Sequence, residues 1–118
     1  MNEQSEKEEI LSIIKEIETD PAITQRAVSR KLGISLGKIN YLLRELIKKG
    51  FVKAKHFTYN PEKVKKIQYL LTERGLEEKM RLTYHFLQRK EAEYNNLRQE
   101  WERLNGKELI PEGSGRSK

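Results

Sequence analysis

Between Ser35 and Arg44 the chain sets Lys38, Asn40, Tyr41 and Arg44 at spacings that a helix would gather on its outer side. Their chemistry is that of a surface that reads edges and charges. An asparagine amide presents a donor and an acceptor side by side, so Asn40 matches the edge of an adenine in two places. Lys38 and Arg44 reach guanine edges or phosphates, and Tyr41 offers its hydroxyl to a phosphate or its ring to a thymine methyl. Gly37 removes bulk where a duplex backbone would come close, against a cost of about 1 kcal/mol relative to alanine. Each also has a plainer reading: Asn40 as a solvated helix residue, Tyr41 as a ring packed on the domain edge, Gly37 as neutral variation.

The elements that would hold these side chains are legible around them. Ser35 caps a helix whose inner face is Ile39, Leu42, Leu43, Leu46 and Ile47, and which runs to Lys49. Thr24 caps a shorter helix from Gln25 to Leu32, with Ala27, Val28 and Leu32 inward and Arg26, Arg30 and Lys31 outward. Gly33 stands where the chain must turn sharply, a position at positive φ that only glycine takes without a Cβ clash. Ile34 plugs the corner. The pattern is a helix-turn-helix, with Arg26 and Arg30 facing backbone phosphates and the helix from Ser35 facing the major groove. Upstream, residues 5–18 read as an amphipathic helix with Ile10, Ile13, Ile14 and Ile17 on one stripe. Ser5 and Glu8 form a capping box at its start, and Asp20-Pro21 ends it.

Downstream, Gly50 closes the second helix of the motif. FVKAKHF (51–57) alternates in strand fashion, TYNPEKVKK (58–66) reads as a polar linker, and IQYLL (67–71) as the returning strand. Helix, helix, strand, basic loop, strand is the order of a winged helix. Lys63, Lys65 and Lys66 are placed to meet phosphates or a minor groove beside the main site, with a solvated hairpin as the alternative. His56 reads as a surface strand residue rather than a ligand.

From Thr72 the periodicity changes to a heptad seam sustained to about Asn105. Met80, Leu87, Tyr94 and Trp101 fall at a, and Leu76, Thr83, Lys90, Leu97 and Leu104 at d. So long a stripe has no obvious core within one small domain, and self-association follows as the expectation. Leu76, Met80, Leu87, Tyr94, Leu97, Trp101 and Leu104 are the candidate dimerisation residues. Thr83 and Lys90 weaken the seam, set its register or strand number, or mark where the helices splay. The charged flanks leave parallel and antiparallel pairing open, and a helix folded back on its own domain is the alternative. His85 lies off the seam and is expected to be solvated. The organisation expected is 1–72 as the winged helix-turn-helix, 73–105 as the long coiled-coil-like helix and 106–118 as a disordered Gly/Ser-rich tail.

Charge supports this division. The 118-residue chain carries a formal net charge of +6. Residues 1–20 hold two Lys against seven Asp or Glu, residues 21–66 twelve Lys or Arg against two Glu, and residues 67–118 ten against nine. The excess sits in the segment that carries the helix-turn-helix and wing, where a polyanion is the natural partner. With no cysteine there is no disulfide framework or thiolate metal site. No metal site, cofactor or membrane span is expected, and the acidic N-terminus lacks a signal-peptide core, so a cytoplasmic protein is the default. The sequence has no Gly-rich phosphate loop, no paired-His zinc motif and no Ser–His–acid set in a plausible frame, and an enzyme is not expected.

The stretch TQRAVSRKLGISLGKINYLLRELIKKGFVKAKHF, then YLLTERG, then LEEKMRLTYHFLQRKEAEY, resembles bacterial MarR-type winged-helix regulators. Within them it looks closest to the short subgroup described as EPS-associated, found with exopolysaccharide biosynthesis genes. The resemblance spans about residues 5 to 105. It implies a fold that is mainly α with a small β-hairpin, and a homodimeric transcriptional regulator of promoter DNA. It also implies that the regulated genes concern polysaccharide production, and it leaves any small-molecule effector open. Larger MarR proteins build their dimer from helices at both chain ends and hold ligands in a cleft beneath it. Here the N-terminal helix is short, so the dimer would rest largely on residues 76–104. Many MarR wings carry an arginine at the tip, where this chain has lysines. Two other readings remain: a protein-interaction module using the winged helix as scaffold, and single-strand binding through Tyr41, Phe57 and Tyr59.

Overall fold

The computed structural model of the chain describes residues 3–60 and 64–106. The isoleucine stripe forms α1 (Glu3–Thr19), on which Ile13, Ile14 and Ile17 are buried. The helix stops as the sequence requires. Asp20 precedes Pro21, and its carboxylate accepts the Ala22 N–H at 3.2 Å, turning the chain toward α2 (Gln25–Leu32). Thr24 caps α2 by accepting the Ala27 N–H at 3.0 Å. At its other end Gly33 takes φ 68° and ψ 29°, the left-handed conformation, and its N–H returns to the Ser29 carbonyl at 2.9 Å. The Ser29 hydroxyl then donates to the Ile34 carbonyl at 2.6 Å, fixing the corner.

Ser35 caps α3 (Leu36–Lys48) by accepting the Lys38 N–H at 3.2 Å. Ile39, Leu42, Leu43 and Leu46 are buried and meet Ile13, Ile14, Ile17, Ile23, Val28, Val52 and Tyr69 in one core. Ile47, expected on the inner face, is instead exposed. The helical rotation of about 100° per residue carries it to the flank of the stripe that Ile39, Leu42 and Leu46 define.

β1 (Val52–Asn60) and β2 (Val64–Leu71) form an antiparallel hairpin, in register from Val52 opposite Leu71 to Thr58 opposite Lys65. The hairpin is longer than the sequence suggests. Residues 58–60 and 64–66, read as linker, belong to the strands, with an irregularity between Thr58 and Asn60. A polar sequence does not exclude a strand, because ladder pairing uses backbone N–H and C=O groups and does not require apolar side chains. The tip at 61–63 lies outside the described residues. The base of β2 is tied to the domain through the Tyr69 N–H, which donates to the Pro21 carbonyl at 2.9 Å.

Thr72 joins the wing to α4 (Glu73–Leu104). Its hydroxyl donates to the Gly50 carbonyl at 2.7 Å and accepts the Gly75 N–H at 3.0 Å, so one side chain both caps α4 and holds the end of α3. Arg74 lies over the Phe51 ring at 5.4 Å. At Gly75 the packing is tightest: a Cβ there would stand 2.1 Å from the Phe51 carbonyl oxygen. Two compact units divide the chain, one extending to Thr83 and the other beginning at Tyr84. The first turns of α4, with Gly75 and Leu82 buried, therefore belong with the winged helix. The architecture is mainly α with a small β-hairpin, a winged helix-turn-helix followed by a long helix. No helix among the described residues is long and apolar enough to cross a membrane.

Candidate nucleic-acid interface

Opposite the buried stripe of α3 lie Gly37, Tyr41, Arg44 and Lys48, one helical turn apart in succession, and all four are exposed. Tyr41 is 53% exposed. Arg44 has no ion-pair partner among the described residues, and Lys48 stands 3.8 Å from Glu45 on its own helix. On α2, Arg26 and Arg30 are one turn apart and exposed, also without ion-pair partners among the described residues. The centre of the face thus offers a ring, a guanidinium and a position without a side chain, and α2 contributes two further guanidinium groups.

The two remaining candidates sit on the flanks of α3, and each is already engaged. Lys38 turns toward α1, where its ammonium lies 3.3 Å from a Glu9 carboxylate oxygen that makes no hydrogen bond of its own. Asn40 turns toward α2 and donates through Nδ2 to the Gln25 Oε1 at 3.2 Å. Gln25 in turn donates through Nε2 to the Tyr69 hydroxyl at 3.1 Å. Asn40, Gln25, Arg26, Gly37, Thr24 and Leu36 line a single open depression between the N-terminal ends of α2 and α3. The Ser35 hydroxyl is committed to its cap.

The acidic helix also lowers the effective charge of the basic block. Besides Glu9 with Lys38, Glu16 pairs with Lys31 at 3.0 Å, and Glu18 pairs with Lys79 of α4. Lys53 and Lys55 on β1 are exposed. Lys65 and Lys66 lie on β2 opposite Thr58 and Phe57, and Lys63 falls outside the described residues.

On α4 the apolar stripe stands open. Leu76, Met80, Leu87, Tyr94, Leu97, Trp101 and Leu104 are between 40% and 70% exposed, and Tyr84 joins them. His85, expected to be solvated, is half-buried with its ring edge-on to Phe86 at 5.0 Å.

Four residues of the site escaped the sequence reading. Gln25 and Tyr69 have no local signature, since the bonds that give them a role close only when α2, α3 and β2 pack together. Glu9 looked like one of many helix-initiating acids. Leu36 carried a signal that was available: a large apolar residue in the first turn of α3, off the inner stripe, and exposed in the structure. Among the described residues there is no group of acidic, His or Cys side chains able to hold a metal ion.

Residues 9–53 match the family described as winged helix-turn-helix DNA-binding. Among solved structures the chain is similar to a mutant of MepR from S. aureus, at 18% identity and a TM-score of 0.61 over 91% of this chain and 74% of that one. It is similar to the S. aureus MepR–DNA complex at 19% identity and a TM-score of 0.54, over 88% and 78% of the two chains. A MarR family transcription regulator matches at 16% identity and a TM-score of 0.55, over 84% and 71%. No curated protein matches the chain. At these identities the likeness is one of fold, a winged helix-turn-helix followed by a long helix.

Proposed function

We propose that this protein is a transcriptional regulator that binds duplex DNA sequence-specifically as a homodimer, with α3 in the major groove and α2 against the backbone. One observation carries the reading: Gly37, Tyr41 and Arg44 stand exposed on α3, while Arg26 and Arg30 stand exposed on α2, all outside the ion pairs that occupy Lys31 and Lys38. The family matched by residues 9–53 and the likeness to MepR, a protein solved on DNA, support it. The open stripe on α4 supports a second copy as partner. DNA as partner implies a cytoplasmic protein, and the resemblance to the EPS-associated subgroup suggests exopolysaccharide genes as targets.

The same stripe favours one other reading, a protein-interaction module docking through α4. Salt and substitution distinguish the two. On duplex DNA, binding should fall roughly a thousandfold or more between about 50 and about 200 mM salt if about six phosphates are neutralised. Arg30→Ala should weaken all duplexes alike, whereas Arg44→Ala should cost roughly 1–3 kcal/mol on the preferred site and relax its sequence preference. No duplex binding at low salt would favour the docking module.

A further inference from the structure

The bond between Asn40 and Gln25 joins the flank of the reading helix to a buried tyrosine of the wing. We propose that Gln25 and Tyr69 are positioning residues for base reading, holding the Asn40 amide in the orientation that an adenine edge requires. The proposal rests on the DNA-binding reading above and adds to it the residues that set what α3 reads.

The chemistry is that of a planar amide. An asparagine reads adenine with its carbonyl oxygen and one N–H together. Its terminal torsion is broad and roughly two-fold, so an unanchored amide exchanges oxygen for nitrogen at the groove. Here Nδ2 gives one N–H to the Gln25 Oε1 at 3.2 Å. The second N–H and Oδ1 are the pair that remains, and they match the donor and acceptor of adenine. Gln25 is a long side chain with torsions of its own, and its Nε2 is held by the Tyr69 hydroxyl at 3.1 Å. Tyr69 is 5% exposed, lies in the core and is tied by its N–H to the Pro21 carbonyl. The relay therefore starts from a fixed point on β2, passes through the first residue of α2 and ends on α3. It opens into the depression that Arg26, Leu36 and Gly37 also line, on the face assigned to DNA. Anchoring of this kind lowers the cost of ordering the reading side chain on binding.

The test uses the full chain and the preferred duplex recovered by selection, with each A·T pair replaced in turn. Asn40→Ala should lose roughly tenfold or more of discrimination at one A·T pair. Gln25→Ala should lose roughly threefold to tenfold, and Tyr69→Phe roughly twofold to fivefold, at that same pair. Neither should lose more in the Asn40→Ala background, because the three act as one unit. Gln25→Glu keeps an oxygen facing Asn40, and the tyrosine hydroxyl can turn to donate to it. That variant should keep the discrimination while weakening all duplexes together through its added negative charge. Tyr69→Phe keeps the ring in the core, so its melting temperature should stay near that of the parent.

If Gln25→Ala and Tyr69→Phe weaken every duplex equally, or change only the melting temperature, their role is structural and the proposal is overturned. If Asn40→Ala leaves discrimination intact on a duplex that is still preferred, the relay is overturned while the DNA-binding reading stands. If no duplex is preferred, that reading falls and takes this proposal with it.

Discussion

At the scale of single residues, geometry separates side chains that share a type. Arg44 and Lys38 are both cations on α3, yet Arg44 stands without an ion-pair partner among the described residues and Lys38 is held against Glu9. Gly37 and Gly75 are both helical glycines. Beyond its own helix backbone and chain neighbours, a Cβ at Gly37 would meet nothing within 4 Å, whereas at Gly75 it would lie 2.1 Å from a backbone oxygen. Gly75→Ala should therefore cost roughly 1–3 kcal/mol of stability, by overpacking the junction between β1 and α4. Gly37→Ala should stabilise the free protein by less than about 1 kcal/mol, because Gly37 is the second residue of α3 and the full glycine penalty belongs to helix interiors. Thermal or urea melts of the two variants check this, and opposite signs are the expected outcome. The caps at Thr24 and Ser35 and the turn at Gly33 were legible in sequence because each partner lies within three or four residues. Asn40 and Lys38 were read as groove-facing residues of the outer side, whereas the structure sets both on the flanks of α3, engaged with Gln25 and Glu9. Their partners were not legible, since Gln25 and Glu9 come near them only through tertiary packing.

At the scale of elements, α1 is more than a structural back to the motif. On the proposed DNA-binding reading its carboxylates would compete with DNA for the lysines they hold, because an ion pair must be broken before the ammonium can serve a phosphate. Glu9→Gln should remove the ion pair on Lys38 and raise affinity for all duplexes by roughly twofold to fivefold at low salt, with a loss of stability under about 1 kcal/mol. Equilibrium titration against preferred and random duplex measures it, and unchanged affinity would mean that Lys38 takes no part in binding. The helices were readable because their apolar stripes recur with the helical period. The wing was readable only at its base, where Val52 and Tyr69 enter the core. Farther out the segment 58–66 lacks apolar alternation in sequence and looks like a linker, although its described ends are paired. Thr72 was visible as the start of a helix, whereas its second bond, to the Gly50 carbonyl, depends on the packed corner and could not be read from spacing.

For the whole molecule, dimerisation through α4 is proposed to present the reading face of α3 twice. Seven heptad-spaced apolar residues of α4 are exposed, a stripe that a second copy would cover on the proposed reading. Leu87→Asp together with Leu97→Asp should give monomers by sedimentation and weaken binding to the preferred duplex far more than to random duplex. A dimer that survives both changes would place the interface elsewhere. The central claim, that paired copies of α3 read duplex DNA, is tested most directly by selecting bound fragments from a random duplex library with the full chain. The expected result is an inverted repeat with half-sites centred about one helical turn apart, roughly 10–10.5 base pairs, or a multiple of it. Recovery of a single unrepeated motif would contradict the paired reading, and recovery of no motif at all would contradict sequence reading by α3.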